Sequence, residues 1–371
     1  MTVYLDQAAA ARPAPEAVEF YIARVREDYA NQEAAHQLGR EARQRLEQAA
    51  EELSLALTGE SGWGVIWGGC GTELFNLFAD SPLATGKRAV TSPLEHPALL
   101  AVLRRAAVEL RTLRPDRHGR ISQEQLPAGD LLALHQVQSE LGTIQQIDAL
   151  TEAFRRRSTD GIVFVDAIQG AAKLPFPRAA DVVAVSGRKF GAPGGGAALL
   201  IRPAFRGGKQ LTQFARRWRH ELYRGCRPEV PALLAMAYAA RLRAAEREGA
   251  ARRIAELNAA VRRALENLPL HGGGKIRCTV PPELASPYLL HLFLPGLQSG
   301  VLVRMLSAAG VMTAAGSACA SESPDPSAAL RAIGFDRNDA YSGLRIGFGF
   351  DSTPEEAKKL VEALKDALKN Y

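Results

Sequence analysis

Short runs of apolar residues constrain the fold of this chain more than any other feature of its sequence. Such runs lie at 162–165 (IVFV), 182–185 (VVAV) and 197–201 (AALLI). A strand that is apolar at every position must be covered on both faces, which is typical of parallel sheets. Helical patterns, such as the one at 33–57, alternate with these runs. The sequence therefore predicts an α/β fold in which helices cover both faces of a mainly parallel sheet.

The pattern changes after residue 230. A long helix rich in Ala, Arg and Glu is predicted at 231–267, followed by a strand at 288–294 and a helix at 300–309. The last helix opens with a capping box at Thr353, with Pro at its first position. We therefore expect three units along the chain: an N-terminal arm at 1–15 that packs on the small domain, a large domain at 16–250, and a small α+β domain at 251–371.

Composition excludes several classes of protein. The chain has 371 residues, of which 47% are hydrophobic and 23% are charged, as in a globular protein, and its net charge of +6 is too small to demand a nucleic-acid partner. We find neither a signal-peptide pattern nor an apolar run of the roughly 18 residues that a membrane span needs. The four cysteines are widely spaced without a metal-binding pattern, so we expect no metal, no membrane and a cytoplasmic location with reduced thiols.

An aspartate and a lysine at strand ends are the first residues that indicate chemistry. Asp166 directly follows the run at 162–165, and open α/β sheets bind ligands at the carboxyl ends of their strands. For one aspartate alone, a helix N-cap is the simpler interpretation. Lys189 follows the run at 182–185 and precedes a loop with little side-chain bulk. Burial lowers the pKa of a lysine and favours the neutral amine that forms Schiff bases, although an ordinary loop lysine is the alternative.

A glycine-rich turn at 68–73 (GGCGTE) lies between a predicted strand and a predicted helix. Free backbone N–H groups and the helix dipole make such a turn an anion cradle, and the turn lacks the spacing of nucleotide-binding motifs. A phosphate cradle followed by Asp166 and Lys189 is the arrangement that pyridoxal 5′-phosphate (PLP) requires. The lysine forms the imine, the aspartate keeps the pyridine nitrogen protonated, and the cradle holds the phosphate.

Motifs that extend over most of the chain occur in an order known from one enzyme family. They are Tyr4-Leu5-Asp6-Gln7-Ala8-Ala9, the N…H-x-x-G-R-x-A-R pattern from Asn31 to Arg43, Gly71-Thr72-Glu73, Glu95-His96-Pro97, ELGTIQ at 140–145, Asp166 with Gln169, Lys189, GSAC at 316–319, LRAIG at 330–334, and Leu344-Arg345. GSAC followed by LRAxG is the most specific pair. The chain thus resembles the cysteine desulfurases of the class-V aminotransferase group, and the resemblance implies fold type I with a seven-stranded sheet.

The resemblance implies a role for each matching residue. The implied PLP ligands are Lys189 through the Schiff base, Asp166 at the pyridinium, Gln169 at the phenolic oxygen, His96 stacked on the ring, and Gly71, Thr72 and Ser186 at the phosphate. Arg345 would grip the α-carboxylate of L-cysteine. Cys319 would attack the sulfur of the bound cysteine, which yields a persulfide and alanine, while His96 relays protons.

The family also suggests partners. It implies a homodimer with each site built at the subunit interface. The long interval between Cys319 and Arg345 is typical of the subgroup whose cysteine rides on an extended, mobile loop, and such a loop would bring the persulfide to a sulfur-acceptor protein. The basic clusters at 155–157 and 216–219 are expected to be solvated faces, with a docking patch for an acidic acceptor as the alternative.

Several positions depart from the family pattern. Arg188 stands where the family has His, and Arg227 where it has the Thr that reaches the phosphate of the neighbouring subunit; both arginines can still bind phosphate. Gln138 replaces an Asn near the phenolic oxygen and the substrate. Phe350 stands where the family has Arg. Cys70 is expected to be a small apolar filler near the cofactor.

Two other functions stay open on the sequence alone. A divergent class-V enzyme, such as a cystine or selenocysteine lyase or an aminotransferase, would keep the scaffold with a changed substrate. A PLP-binding partner protein without turnover is the second alternative. The presence of Lys189, Asp166, His96, Cys319 and Arg345 together argues against the latter.

Overall fold

The computed structural model describes residues 2–221, 225, 229–270, 273–316 and 325–371. The strands are β1 (Val3–Tyr4), β2 (Gly64–Gly68), β3 (Arg88–Thr91), β4 (Glu109–Thr112), β5 (Leu131–His135), β6 (Ile162–Asp166), β7 (Val182–Ser186), β8 (Ala197–Ile201), β9 (Arg277–Cys278), β10 (Leu289–Phe293), β11 (Val311–Met312), β12 (Ala314–Ala315) and β13 (Gly343–Gly347). The helices are α1 (Pro15–Glu27), α2 (Gln37–Thr58), α3 (Gly71–Asp80), α4 (Pro97–Ala106), α5 (Ile147–Arg157), α6 (Gly208–His220), α7 (Val230–Leu265), α8 (Ser299–Ala308), α9 (Ala328–Ala332) and α10 (Pro354–Lys369).

A seven-stranded sheet is the centre of the fold, with the strand order β2-β8-β7-β6-β5-β3-β4. Strand β8 is antiparallel to both of its neighbours, and every other pair of neighbours is parallel. Strands β5, β7 and β8 are buried at every residue, as their apolar sequences require. The prediction of an α/β fold with a mainly parallel seven-stranded sheet is confirmed.

Two apolar layers cover the faces of this sheet. Because side chains alternate between the faces of a strand, Val163 and Val165 of β6 pack into the layer formed by α2, α5 and α7. Phe164 packs on the opposite face, with α3, α4 and α6. A fully buried side chain of this size stabilises the folded state by about 1.5–3 kcal/mol. The two layers hold the carboxyl ends of the strands at fixed relative positions.

The C-terminal part carries a second, antiparallel sheet with the order β12-β13-β10-β9. Strand β1 of the N-terminal arm pairs in parallel with β11. Helix α10 begins with the predicted capping box, in which Thr353 and Glu356 each bond the other's backbone N–H. Helix α7 runs without interruption through residue 250, the predicted start of the small domain, so the division into units stays a prediction.

Helix α2 begins four residues later than its sequence pattern suggests. His36 caps the helix, because its Nδ1 accepts a hydrogen bond from the backbone N–H of Gly39 at 3.2 Å. The C-terminal end agrees with expectation, since Gly59 follows with a left-handed φ of 73°. Among the helices of the described ranges, none is both long and apolar enough to cross a membrane.

Candidate active site

A cavity of about 400 Å³ lies at the carboxyl ends of β5, β6 and β7. This is the edge at which open α/β sheets bind ligands. The cavity brings together most of the residues singled out from the sequence, namely Gly71, Thr72, His96, Asp166, Gln169, Ser186, Arg188, Lys189 and Arg345. Backbone of the N-terminal arm completes the wall at Ala8, Ala9 and Ala10. Cys319 and Arg227 lie outside the described residues.

Asp166 ends strand β6, and its side chain is almost fully buried. Its Oδ1 accepts a hydrogen bond from the backbone N–H of Ile168 at 3.0 Å. Burial raises the pKa of Asp166 to about 6, while the hydrogen bond from Ile168 acts in the opposite direction. A desolvated carboxylate is stabilised by a cation placed beside it, so this position suits a protonated ring nitrogen.

Lys189 closes the short 3₁₀ turn that follows β7. Its Nζ donates a hydrogen bond to the carbonyl of Ala8 at 3.0 Å and another to the carbonyl of Ala9. These partners belong to the N-terminal arm, which therefore fixes the amine in the cavity wall. A partly buried amine held by neutral carbonyls is available for covalent chemistry once it loses its proton.

His96 is the N-cap of α4. Its Nδ1 accepts a hydrogen bond from the backbone N–H of Ala98 at 3.2 Å, so the neutral ring carries its proton on Nε2. Burial, and secondly the positive charge of Lys189, lowers the pKa of His96 below its ordinary value. His96 is thus a neutral group at pH 7, with a transferable proton on a defined nitrogen.

The phosphate cradle lies at the N-terminus of α3. This helix begins at Gly71 after an extended Cys70, which leaves the backbone N–H groups of its first turn without partners in the helix. A Cβ on Gly71 would lie only 2.5 Å from Ile168 Cδ1, so a larger residue at this position would require the Ile168 side chain to move. Cys70 is a free cysteine that lines the cavity, and its role as a small apolar filler near the cofactor stays a prediction.

A second layer of side chains supports the cradle. Glu73 Oε2 accepts a hydrogen bond from the Gly69 backbone N–H at 2.7 Å, and Glu73 Oε1 lies 3.5 Å from Arg219 Nη2. Trp218 is buried, and its Nε1 donates to Asp80 Oδ2 at 2.9 Å. The prediction of a solvated face at 216–219 is therefore wrong for Trp218 and Arg219. Trp218 forms a hydrogen bond with helix α3, and Arg219 lies against the glycine-rich turn.

Arg345 lies in the middle of β13, and its side chain is almost fully buried. Its Nη2 is 2.7 Å from Asp6 Oδ1, and its Nη1 donates to the carbonyl of Ser139 at 3.0 Å. Its Nε is buried and has no hydrogen-bond partner among the described residues. The guanidinium is thus held from two sides and keeps N–H groups that a carboxylate can use.

Gln138 is buried, but it does not line the cavity. Its Oε1 accepts hydrogen bonds from the backbone N–H groups of Glu140 and Leu141, each at 2.6 Å, and its Nε2 donates to the carbonyl of Leu94 at 3.3 Å. These bonds engage both ends of the amide in shaping its own loop. The expected contact of Gln138 with cofactor and substrate stays a prediction.

The sequence reasoning missed a buried chain of side chains beside Asp166. His135 is its direct neighbour across β5 and β6, and His135 Nδ1 lies 2.7 Å from Glu95 Oε1. Gln145 Oε1 accepts from Ile121 N, so its Nε2 is the donor that faces His135 Nε2 at 3.2 Å. With Nε2 facing that amide group, His135 donates from Nδ1 to Glu95; burial acts to lower the pKa of His135, but the Glu95 carboxylate outweighs it and raises this pKa above its ordinary value. The sequence did contain a signal for His135, because this polar residue directly follows the apolar run at 131–134 (LLAL).

The lining agrees with the shape and chemistry of PLP. Gln169 lies in the lining, and its Nε2 donates one N–H to the carbonyl of Ala8 at 2.8 Å, which leaves a second N–H that can donate to a phenolic oxygen. The first turn of α3 lines the cavity at Gly71 and Thr72, where backbone N–H groups without partners in the helix can donate to a phosphate. Asp166 and Lys189 supply the carboxylate and the amine. Across the ranges that the structure describes, no cluster of His, Cys, Asp and Glu is arranged to hold a metal ion.

Comparison with known families decides where the chain belongs. The sequence profile of the aminotransferase class-V family matches residues 3–360. The chain belongs to the class-V aminotransferase family. Enzymes of this family are PLP-dependent, which agrees with the lining of the cavity.

Individual relatives of this class-V chain carry desulfurase names. The cysteine desulfurase IscS of Anaeromyxobacter sp. (strain K) is 30% identical over 374 residues, which cover 95% of this chain and 89% of that protein. A solved NifS-like protein is 25% identical with a TM-score of 0.83, and the match covers 100% of both chains. The NifS-like protein of Rickettsia africae ESF-5, at 19% identity and a TM-score of 0.84, covers 100% of both chains and shows the same fold.

Proposed function

We propose that this chain is a PLP-dependent cysteine desulfurase that converts L-cysteine to L-alanine and passes the sulfur to Cys319. One observation carries the proposal: a single cavity at the strand ends combines a lysine amine, a buried carboxylate and a buried arginine. Membership of the class-V family and relatives named as cysteine desulfurases support the same conclusion. The retained GSAC motif at 316–319 favours sulfur transfer over the other class-V reactions.

Each part of the cavity wall suits one part of the cofactor. PLP, when bound, supplies an aldehyde for the substrate's amino group and an electron-withdrawing ring that stabilises negative charge at Cα. Asp166 pairs with the ring nitrogen and Gln169 with the phenolic oxygen. The phosphate ligands in this proposal are Gly71, Thr72 and Ser186, with Arg188 and, across the dimer, Arg227.

Three side chains bind the substrate and move its protons. Arg345 binds the α-carboxylate. Its buried Nε–H has no hydrogen-bond partner among the described residues, so it is left for the substrate. Lys189, at the strand end, takes the proton from Cα as its general base. His96 holds a proton on Nε2, because its Nδ1 is engaged by Ala98, and can donate it to the substrate.

The sulfur leaves through the thiolate of Cys319. This thiolate attacks the sulfur of the bound cysteine, so that an S–S bond forms while the C–S bond breaks. The electron pair of the broken bond stays on the substrate's Cβ, where a proton completes L-alanine. The chain keeps the sulfur as a persulfide on Cys319.

Several features of the proposal concern the whole protein. The enzyme acts as a homodimer in the cytoplasm, where its thiols stay reduced, and its persulfide passes to an acceptor protein. Its chain divides into an arm at 1–15, a large domain at 16–250 and a small domain at 251–371. The pairing of β1 with β11 supports the assignment of the arm to the small domain.

Incubation of the purified protein with L-cysteine and a reductant tests the proposal. A desulfurase releases L-alanine and sulfide in equal amounts. A β-eliminating lyase releases sulfide with pyruvate and ammonia instead of alanine. An aminotransferase needs a 2-oxo acid as amino acceptor, so with L-cysteine alone it turns over at most once per active site and releases no sulfide. Either of the last two results would replace the proposed function with another class-V reaction.

A further inference from the structure

The arginine proposed to bind the substrate already has an acidic partner. Arg345 Nη2 and Asp6 Oδ1 are 2.7 Å apart, although the two residues are 339 positions apart in the chain. The Arg345 side chain is 2% exposed and that of Asp6 is 21% exposed. The ion pair is therefore largely shielded from solvent, where charges interact more strongly than at a surface.

The backbone on both sides of Asp6 is fixed to the strand that carries Arg345. The N–H of Gly347 donates to the carbonyl of Leu5 at 2.7 Å, and the N–H of Gln7 donates to the carbonyl of Gly347 at 3.3 Å. The phenol of Tyr4 donates to the carbonyl of Asp6 at 3.2 Å. These main-chain bonds fix the Cα of Asp6 beside β13, so its carboxylate lies within reach of Arg345 without any movement of the arm.

We propose that Asp6 is a specificity-determining residue that acts as a fixed counter-ion of Arg345. The inference rests on the proposed role of Arg345 in binding the α-carboxylate. Asp6 neutralises the guanidinium before a substrate arrives, so the substrate's carboxylate adds a second negative charge to an arginine that is already paired. Asp6 thereby weakens the binding of α-carboxylates and disfavours amino acids whose side chain is also negative.

The size of the effect follows from the geometry of a guanidinium. Two carboxylates on different edges of one guanidinium lie on the order of 6 Å apart. At an effective dielectric constant near 20, their repulsion changes a dissociation constant by about tenfold to a hundredfold. Removing the charge of Asp6 should tighten the binding of every α-carboxylate by this factor. An acidic amino acid should gain more, because both of its carboxylates are repelled.

Calorimetric titration of the holoenzyme with L-alanine and with L-aspartate tests the proposal. The informative variant is Asp6→Asn, which keeps the shape and a hydrogen-bond acceptor. The matched control is Asp351→Asn, which removes a carboxylate that binds Gln7 and Arg12 of the same arm without touching Arg345. Asp6→Ser replaces Asp6→Asn if the latter does not fold, as judged by circular dichroism.

The expected result is a dissociation constant for L-alanine at least about tenfold lower in Asp6→Asn, a larger gain for L-aspartate, and values within about twofold of wild type in Asp351→Asn. Unchanged or weaker binding of L-alanine in Asp6→Asn overturns the proposal. Arg345→Gln separates this failure from that of the proposed function. If Arg345→Gln binds L-alanine as wild type does, the role of Arg345 itself is wrong; if it loses binding while Asp6→Asn is unchanged, only the counter-ion proposal fails.

Discussion

The burial of Asp166 has a measurable cost in the protein freed of cofactor. The pKa of this carboxyl is about 6 in the folded chain and 3.8 in its unfolded reference state. A carboxyl whose pKa is raised on folding makes its full contribution to stability at a pH below its unfolded-state pKa. This contribution falls as the pH rises and is lost once the pH has passed the folded-state pKa. We therefore predict that Asp166→Asn, which cannot ionise, becomes progressively more stable than wild type as the pH increases.

The magnitude follows from the two pKa values. Relative to a residue that does not titrate, Asp166 lowers the free energy of unfolding by about 1.5 kcal/mol at pH 5 and by about 3 kcal/mol at pH 8. The stability gained by Asp166→Asn should thus be about 1.5 kcal/mol larger at pH 8 than at pH 5. Effects of the substitution that do not depend on pH cancel in this difference. Asn can also still accept the hydrogen bond from the backbone N–H of Ile168.

Urea unfolding of cofactor-free wild type and variant at several values between pH 5 and pH 8 provides the measurement. Asp160→Asn, at an exposed position just before β6, controls for the substitution itself. The variant should also bind PLP more weakly, because the partner of the ring nitrogen has lost its charge. A stability difference that stays constant or shrinks toward pH 8 would refute the assignment of Asp166 as a desolvated carboxylate.

Three further results are expected. Lys189→Ala should lose covalent attachment of PLP and all L-alanine formation, which borohydride reduction with mass spectrometry and an amino-acid assay check; wild-type turnover would contradict the cofactor assignment. Burial lowers the pKa of Lys173 to about 7 from 10.5, so the free energy of unfolding should rise with pH between these values. In urea unfolding, Lys173→Met should therefore be more stable than wild type by about 5 kcal/mol well below pH 7 and by little above pH 10.5. An equal gain at both pH values would contradict this. A crystal structure of the holoenzyme should show a homodimer with Arg227 near the phosphate of the partner's PLP, and an Arg227 distant from every PLP would exclude that role.

The central sheet was predictable because its signal is local. Each of the strands β6, β7 and β8 must be apolar on both faces, and this requirement is visible in four or five consecutive residues. The ends of elements were harder to predict, since they depend on single contacts. The start of α2 is set by one hydrogen bond from Gly39 to His36, which the apolar pattern at 33–57 does not contain.

The sequence predicted the site residues that belong to motifs. It did not predict the residues that only the tertiary structure brings into contact with them. Asp166 and Lys189 follow strands that are parallel neighbours in the sheet, β6 and β7, so the pairing of these strands brings the two residues to the same edge. The hydrogen-bond partners of Lys189 and Arg345 come from a distant part of the chain and could not be predicted. Lys189 donates to the carbonyl of Ala8, and Arg345 donates to Asp6. The prediction of a solvated face failed at Arg219, because the run of basic residues at 216–219 does not indicate which arginine lies beside Glu73.

The most direct test of the account is the reaction of Cys319→Ala with L-cysteine. A desulfurase needs this thiolate to take the sulfur, whereas β-elimination needs only proton transfer at Cα. The variant should keep the absorbance of bound PLP and bind L-cysteine, but its release of L-alanine should fall by at least about a hundredfold, since a missing covalent nucleophile costs several powers of ten. Mass spectrometry of the wild type should find the added sulfur on Cys319. Release of sulfide by Cys319→Ala at near wild-type rate would contradict the persulfide mechanism and support a lyase.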